Sequence, residues 1–272
     1  GPFIGTIRNL EFHHNLVDNF NDDGVYLTAM GLGGDVHIYQ NRISRCLTSF
    51  SFFGEYPVGE GVWIYRNVID LRAPVHYFQP KSTDDERFVA RGNGERYRFP
   101  SAGRLCGDHG GPIWEPIHFY HNTVVSRDAA FRNYYGLGWG GHLRNTKRWV
   151  MNNIFVQREG WPGVVVLAAE GEGLQASANL HHGGGDQPRV DKRYPPPECD
   201  LFGDPRLAEQ LTNWRVPANV SLLTDSPAID HGVELPAEWP DPLRNHDQNG
   251  PDLGAVPYKF DPTQFGPNSK HQ

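Results

Sequence analysis

Over 272 residues the chain carries 25 basic and 32 acidic side chains, a net charge of −7, and its 31 glycines and 22 prolines suit frequent turns better than long helices. An acidic chain with no basic stripe argues against nucleic acid, and the lack of any run of roughly 18 apolar residues argues against a helical membrane span. Cys46, Cys106 and Cys199 are too few and too scattered for a disulfide framework; Cys106 with Cys199 is one conceivable pair, but a buried structural thiol is the preferred reading of each.

Taken in chain order, the first predicted element is Leu10-Glu11-Phe12-His13-His14-Asn15, a pattern of apolar, x, apolar, x, x, Asn. It recurs at Val36 to Asn41, Val62 to Asn67 and Ile117 to Asn122, and more loosely at Arg148 to Asn153, with Asn179 beyond. Successive asparagines are 26, 26, 55, 31 and 26 residues apart. A repeat of this length with strand alternation and no helical period predicts a solenoid of short strands. Val36 and Ile38 then face the core and His37 and Tyr39 face outward. The Asn follows each strand at a turn, where it tolerates left-handed backbone angles and its amide can bond to the Asn of the next rung.

A second strand begins after each turn at Val17, Ile43, Ile69, Val124 and Phe155. A third is expected at Gly24 to Leu27, Phe50 to Phe53, Val75 to Phe78, Ala129 to Arg132 and Val164 to Leu167. Three strands per coil predict an all-β parallel β-helix over 1–182. The 55-residue interval contains an insertion at about 80–112, and a smaller excursion runs from Asn133 to Asn145. Both are expected to leave the ends of third strands and to wall a groove side by side. Residues 183–272 read as an irregular C-terminal extension and cap of the same folding unit, with a short helix over Pro205 to Thr212. The chain opens directly on a rung, so residue 1 is expected not to be the natural start of the folding unit, and an upstream N-terminal fragment or chain would complete the stack.

These rungs resemble the right-handed parallel β-helix superfamily typified by pectate lyases, polygalacturonases and related carbohydrate-active proteins. Ser226 to Gly232 with Asp247 to Ala255 resembles the closing segment of many secreted bacterial β-helix proteins, which implies a cap on the last coil and a secreted or periplasmic location. The resemblance implies a polysaccharide partner and no required cofactor.

The first candidate for chemistry is Asp22-Asp23-Gly24, ahead of a third strand. Paired carboxylates supply the acid and base of glycoside hydrolysis. The position is similar to that of the paired aspartates in polygalacturonase-like hydrolases, although that family's Asn-Thr-Asp, His-Gly and Arg-Ile-Lys signatures are not found in order. The same residues also suit a tight turn or, with Asp18, a calcium site. Asp247 to Asp252 is another oxygen-rich turn. His76 and Lys81 with Arg132 suit a lyase, in which a cation neutralises a uronate and a base removes the neighbouring proton. Asp108-His109 is a further acid–base pair beside two glycines. Tyr134, Tyr135, Trp139 and His142 are expected to line the groove with Arg132 and Lys81, since sugar rings pack on aromatic planes. Tyr39, Tyr65 and Tyr120, beside Trp63 and Trp149, are expected to stack outside one sheet under loops or the C-terminal extension. Hydrolysis leads, lyase chemistry follows, and a noncatalytic carbohydrate-binding or structural role is the alternative from another class.

Overall fold

The computed structural model describes residues 8–29, 34–54, 61–72, 104–107, 116–126, 148–157, 164–165, 174–183, 189–190, 199–209, 211, 213–247 and 249–267. Sixteen strands follow in order: β1 (Arg8–His13), β2 (Leu16–Ala29), β3 (Gly34–Tyr39), β4 (Arg42–Gly54), β5 (Val62–Tyr65), β6 (Val68–Leu71), β7 (Arg104–Gly107) and β8 (Ile117–Tyr120). They continue as β9 (Thr123–Ser126), β10 (Arg148–Met151), β11 (Ile154–Gln157), β12 (Val164–Val165), β13 (Leu174–Ser177), β14 (Leu180–Gly183), β15 (Arg189–Val190) and β16 (Leu201–Phe202).

From β1 to β6 alternate strands go to alternate sheets. A six-stranded sheet has the order β1-β3-β5-β8-β10-β13, and an eight-stranded one runs β16-β14-β11-β9-β6-β4-β2 with β7 beside β4. Pairing within both is parallel, for example Val36 to Val62 and Ile43 to Ile69, and a small third sheet joins β12 to β15. The protein is therefore all-β with long parallel sheets, a pattern compatible with a parallel β solenoid. The inward positions form one core: Val36, Ile38, Ile64 and Phe119 from the first sheet meet Val17, Ile43, Ile69, Val124 and Phe155 from the second.

The turn between the sheets repeats at atomic level. Asn15 N–H and Nδ2 donate to Asn41 Oδ1 at 2.9 and 3.1 Å, Asn41 to Asn67 at 3.1 and 3.0 Å, and Asn67 to Asn122 at 3.0 and 3.0 Å. Asn122 donates to Asn153 and Asn153 to Asn179 in the same way. The left-handed residue is not the Asn, as the sequence suggested, but its predecessor: His14, Gln40, Arg66, His121, Asn152 and Ala178 all have φ between 48° and 56°. This frees each Asn side chain for the ladder, at a local backbone cost of about 1 kcal/mol per non-glycine residue. The stack also extends past residue 182. Asp200 Oδ1 accepts from Asn179, and β16 pairs with β14.

Three further expectations change. Gly24 to Leu27 and Phe50 to Phe53 are continuations of β2 and β4 rather than separate strands. The strand beside Thr48 to Ser51 is β7, so the chain between Leu71 and Arg104 intervenes before this strand and not after it; Val75 to Phe78 lies outside the described residues. Over the described part of Pro205 to Thr212 there is no helix, and Leu207 forms an antiparallel bridge with Leu222.

The C-terminal segment returns along the flank of the stack. Leu211, Val220, Leu222, Leu253, Val256 and Phe265 pack on Val68, Val125, Ile154, Val156 and Leu180, which are outward residues of the eight-stranded sheet. Near its end it reaches the second rung, where Arg42 donates to Ala218 O and Pro262 O at 3.0 Å each. Gly254, at φ +89°, fits against the sheet because it has no Cβ, which would lie 2.7 Å from both Ile154 Cδ1 and Thr123 Oγ1. Ser226 to Gly232 and Asp247 to Ala255 thus cover a side of the middle coils instead of closing an end.

Candidate functional site

Asp22 and Asp23 lie in mid-strand, where alternation would send them to opposite faces. The pairing is irregular here: Phe20 opposes Cys46 and Asp23 opposes Thr48, three steps on β2 against two on β4. An extra residue of this kind bends a strand and re-aims side chains, as bulges beside functional sites do. Gly24 permits the distortion, since a Cβ there would lie 3.0 Å from Cys46 Sγ and 3.1 Å from Ser49 O. The side chain of Asp23 is half-buried, while that of Asp22 lies outside the described residues.

Register then brings a second group to the same place. Thr48 opposes Asp23 on one side and Arg104 on the other, putting the Asp23 and Arg104 backbones about 10 Å apart across β4. β7 ends at Gly107, immediately before Asp108-His109. Asp108 and His109 themselves lie outside the described residues, as do His76, Lys81, Arg132, Tyr134, Tyr135, Trp139 and His142.

Asp18 is bound by protein groups. Ser44 Oγ and Arg45 Nε each donate to its Oδ1 at 2.7 Å, and Arg45 Nη2 closes the pair on Oδ2. Burial pushes its carboxyl up, but the bonds from Arg45 and Ser44 outweigh this and hold its pKa below the ordinary value. Among the described residues no three His, Cys, Asp or Glu side chains converge as a metal site.

The outward face of the six-stranded sheet carries two files of rings. Tyr39 stacks on Tyr65 at 4.9 Å and Tyr65 on Tyr120 at 5.1 Å; His13 extends the file at 4.7 Å from Tyr39. Beside it, His118 lies between Trp63 at 3.6 Å and Trp149 at 4.4 Å. Trp239 from the C-terminal segment stands edge-on to His118, Trp63 and Trp149, and Tyr120 Oη donates to Pro240 O. The middle of the aromatic face is thereby covered, while His13, His37, Tyr39 and Trp63 stay partly exposed. Burial pushes His118 down to about 4, so it is neutral in this stack at pH 7.

A buried ionic cluster anchors the same segment. Arg66, fully buried, donates to Asp241 at 3.0 and 2.8 Å, to Asp247 at 3.2 Å and to Gly254 O at 3.2 Å. Burial alone would raise Asp241, yet Arg66 holds it at about 2; Asp247 is pushed up to about 6 by burial that its single contact with Arg66 does not offset. Burial and the Arg66 charge bring the neighbouring His121 down to about 3. Asp252, read in the sequence as part of an oxygen-rich turn, accepts from the Asp230 and Tyr258 N–H groups at 2.8 and 2.7 Å. Arg66 sits at a left-handed turn position and its partners lie 175 and 181 residues away, so no sequence pattern joins them. Cys46 is buried, Cys199 is exposed and free beside Ser177 Oγ at 2.9 Å, and the Cys106 side chain lies outside the described residues.

Comparison with protein-family models, with curated proteins and with solved structures yields no significant match.

Proposed function

We propose that the chain is a right-handed parallel β-helix with three strands per coil, secreted or periplasmic, that cleaves polysaccharide as a glycoside hydrolase using Asp22 and Asp23. The observation that carries this reading is the irregularity in strand pairing between Phe20 and Asp23, which falls at the Asp22-Asp23 pair, on a strand whose Asp23 is in register with Thr48 and through it with Arg104. One carboxyl protonates the leaving oxygen and the other activates water or attacks carbon. No cofactor is needed for this chemistry, and calcium is a further ligand to test.

Arg104, in register with Thr48, favours an acidic substrate and supports β-elimination on uronate-containing glycans as the second reading. A noncatalytic carbohydrate-binding or structural protein is the third outcome.

A polysaccharide panel scored for reducing ends and for unsaturated products separates these readings. Asp22→Asn and Asp23→Asn should each lower turnover at least ~10²-fold with the melting temperature kept, because each removes a proton-transfer step. Full activity in both variants with unsaturated products would replace hydrolysis by elimination, and no cleavage of any polymer would remove the enzyme reading.

A further inference from the structure

The two ends of the asparagine ladder are chemically different. Every Asn donates its backbone N–H and Nδ2 forward to the Oδ1 of the next rung, and the N–H of the residue after that next Asn donates back to its carbonyl, as Arg42 N–H does to Asn15 O at 2.9 Å and Val68 N–H to Asn41 O at 2.9 Å. At the C-terminal end the series finishes on Asp200, whose Oδ1 accepts from Asn179 and whose Oδ2 pairs with His181 at 3.0 Å. A carboxylate accepts without donating, so the side-chain ladder is closed there.

Among the described residues the other end is open. Asn15 Oδ1 accepts from no described group, and Asn15 Nδ2 bonds His13 O of its own strand at 2.8 Å, as Asn67 and Asn122 do with Tyr65 O and Tyr120 O, but lacks the bond to a carbonyl of a preceding rung that Asn41, Asn67 and Asn122 make. Asn15 N–H and C=O both face the next rung, so by strand alternation the Leu16 N–H points away from β4, to the edge that no described strand pairs. Among the described strands β1 pairs only with β3 and β2 only with β4, and Leu16, Phe20 and Tyr26 along β2 are 50, 49 and 39% exposed.

We infer that the β1–β2 edge is a docking face for one further parallel coil bearing an Asn at the turn, whose N–H and Nδ2 donate to Asn15 Oδ1 and whose carbonyl accepts from Leu16 N–H. The occupant is specified by the bonds it must make: two donors and one acceptor at one turn, in the register of every other rung contact. A second copy of this chain stacked head to tail does not meet the requirement in full: the Asp200 N–H could donate to Asn15 Oδ1, but its carboxylate has no donor in place of the Asn Nδ2 and would face that oxygen acceptor against acceptor. The inference rests on the reading of the stack as a parallel β solenoid, and it is independent of the polysaccharide chemistry.

The probe is a synthetic peptide of residues 34–54, which carries Asn41 between its two strands, added to the full chain; the readout is hydrogen–deuterium exchange at the Leu16 amide. The Asn41 peptide should slow that exchange at least ~10-fold, and Asn41→Ala and Asn41→Asp peptides should leave it unchanged. Equal protection by all three peptides, or by none, overturns the inference. So does protection of Leu16 by self-association of the chain without peptide. An Asn67→Ala variant of the chain that melts unchanged would show instead that the ladder, and with it the solenoid reading, is at fault.

Discussion

Replacing Asn67 with alanine tests the ladder where it is fully buried. Asn67 Oδ1 accepts from the Asn41 N–H at 3.1 Å and Nδ2 at 3.0 Å, while its Nδ2 donates to Ile38 O, Tyr65 O and Asn122 Oδ1. Truncation leaves the Asn41 N–H without its acceptor, although Asn41 Nδ2 keeps Phe12 O and Asn122 Oδ1 keeps the Asn67 N–H. One orphaned buried donor costs about 1–3 kcal/mol, and the lost bonds and small void bring the total to about 2–4 kcal/mol. In a chain of this size that lowers the melting temperature by roughly 4–7 °C. Asn15→Ala is the internal control: it leaves the Asn41 Oδ1 with the Asn15 N–H and orphans no buried donor, so it should cost less than about 1 kcal/mol. Differential scanning calorimetry on both variants, with Asn67→Asp to hold the volume, decides the matter. Equal shifts for Asn67 and Asn15, or no shift for either, would refute the reasoning.

Three other outcomes follow from the flank. Asp247 holds its proton to about pH 6 in the folded protein against an ordinary value of 3.8, so its contribution to stability is greatest below pH 3.8 and declines as the pH rises through 6; Asp247→Asn should flatten that part of a urea-melt pH profile. His118 and His121 run the other way, with folded values of about 4 and about 3 against 6.5, so they withdraw stability as the pH falls below 6.5, and His118→Phe should weaken the acid transition seen by tryptophan fluorescence. Gly254→Ala combines a positive φ with two 2.7 Å contacts and should lower stability by about 1–3 kcal/mol or more, measured by denaturant titration; a neutral result would contradict the close seating of the segment on Ile154 and Thr123.

The coils were legible because their signals are local and periodic. Asn spacing located the six asparagine turns of the ladder, and alternation placed Tyr39, Tyr65 and Tyr120 on one face, where they stack at 4.9 and 5.1 Å. Asp200 escaped because an acidic residue breaks the Asn pattern while still accepting the same bonds. Arg148 was readable as a loose copy of an apolar position, yet nothing in the motif foretells a fully buried arginine in register with Ile117 and Leu174. The irregular segment after Phe202 has no period at all, and its partners are fixed by shape and by single bonds over 100 or more residues, such as His121 to Asp252 O at a separation of 131. For the proposed site, the charge was readable at Asp22 and Asp23, but their place inside a strand and the pairing irregularity beside them exist only in the register between two strands.

The returning segment changes how this array should come apart. Repeats that touch only their neighbours fray from the ends, one unit at a time. Here a single stretch of chain is bolted to Arg42 in the second coil, Arg66 in the third, Thr123 in the fourth and Asn152 in the fifth. No coil among these can peel away without straining the fastening of the others, so they should melt as one unit, with calorimetric and van't Hoff enthalpies in agreement. A proteolytic nick near Asp241 would divide the fastenings between two pieces, Asn152 held by one and Thr123 by the other, and should weaken that coupling.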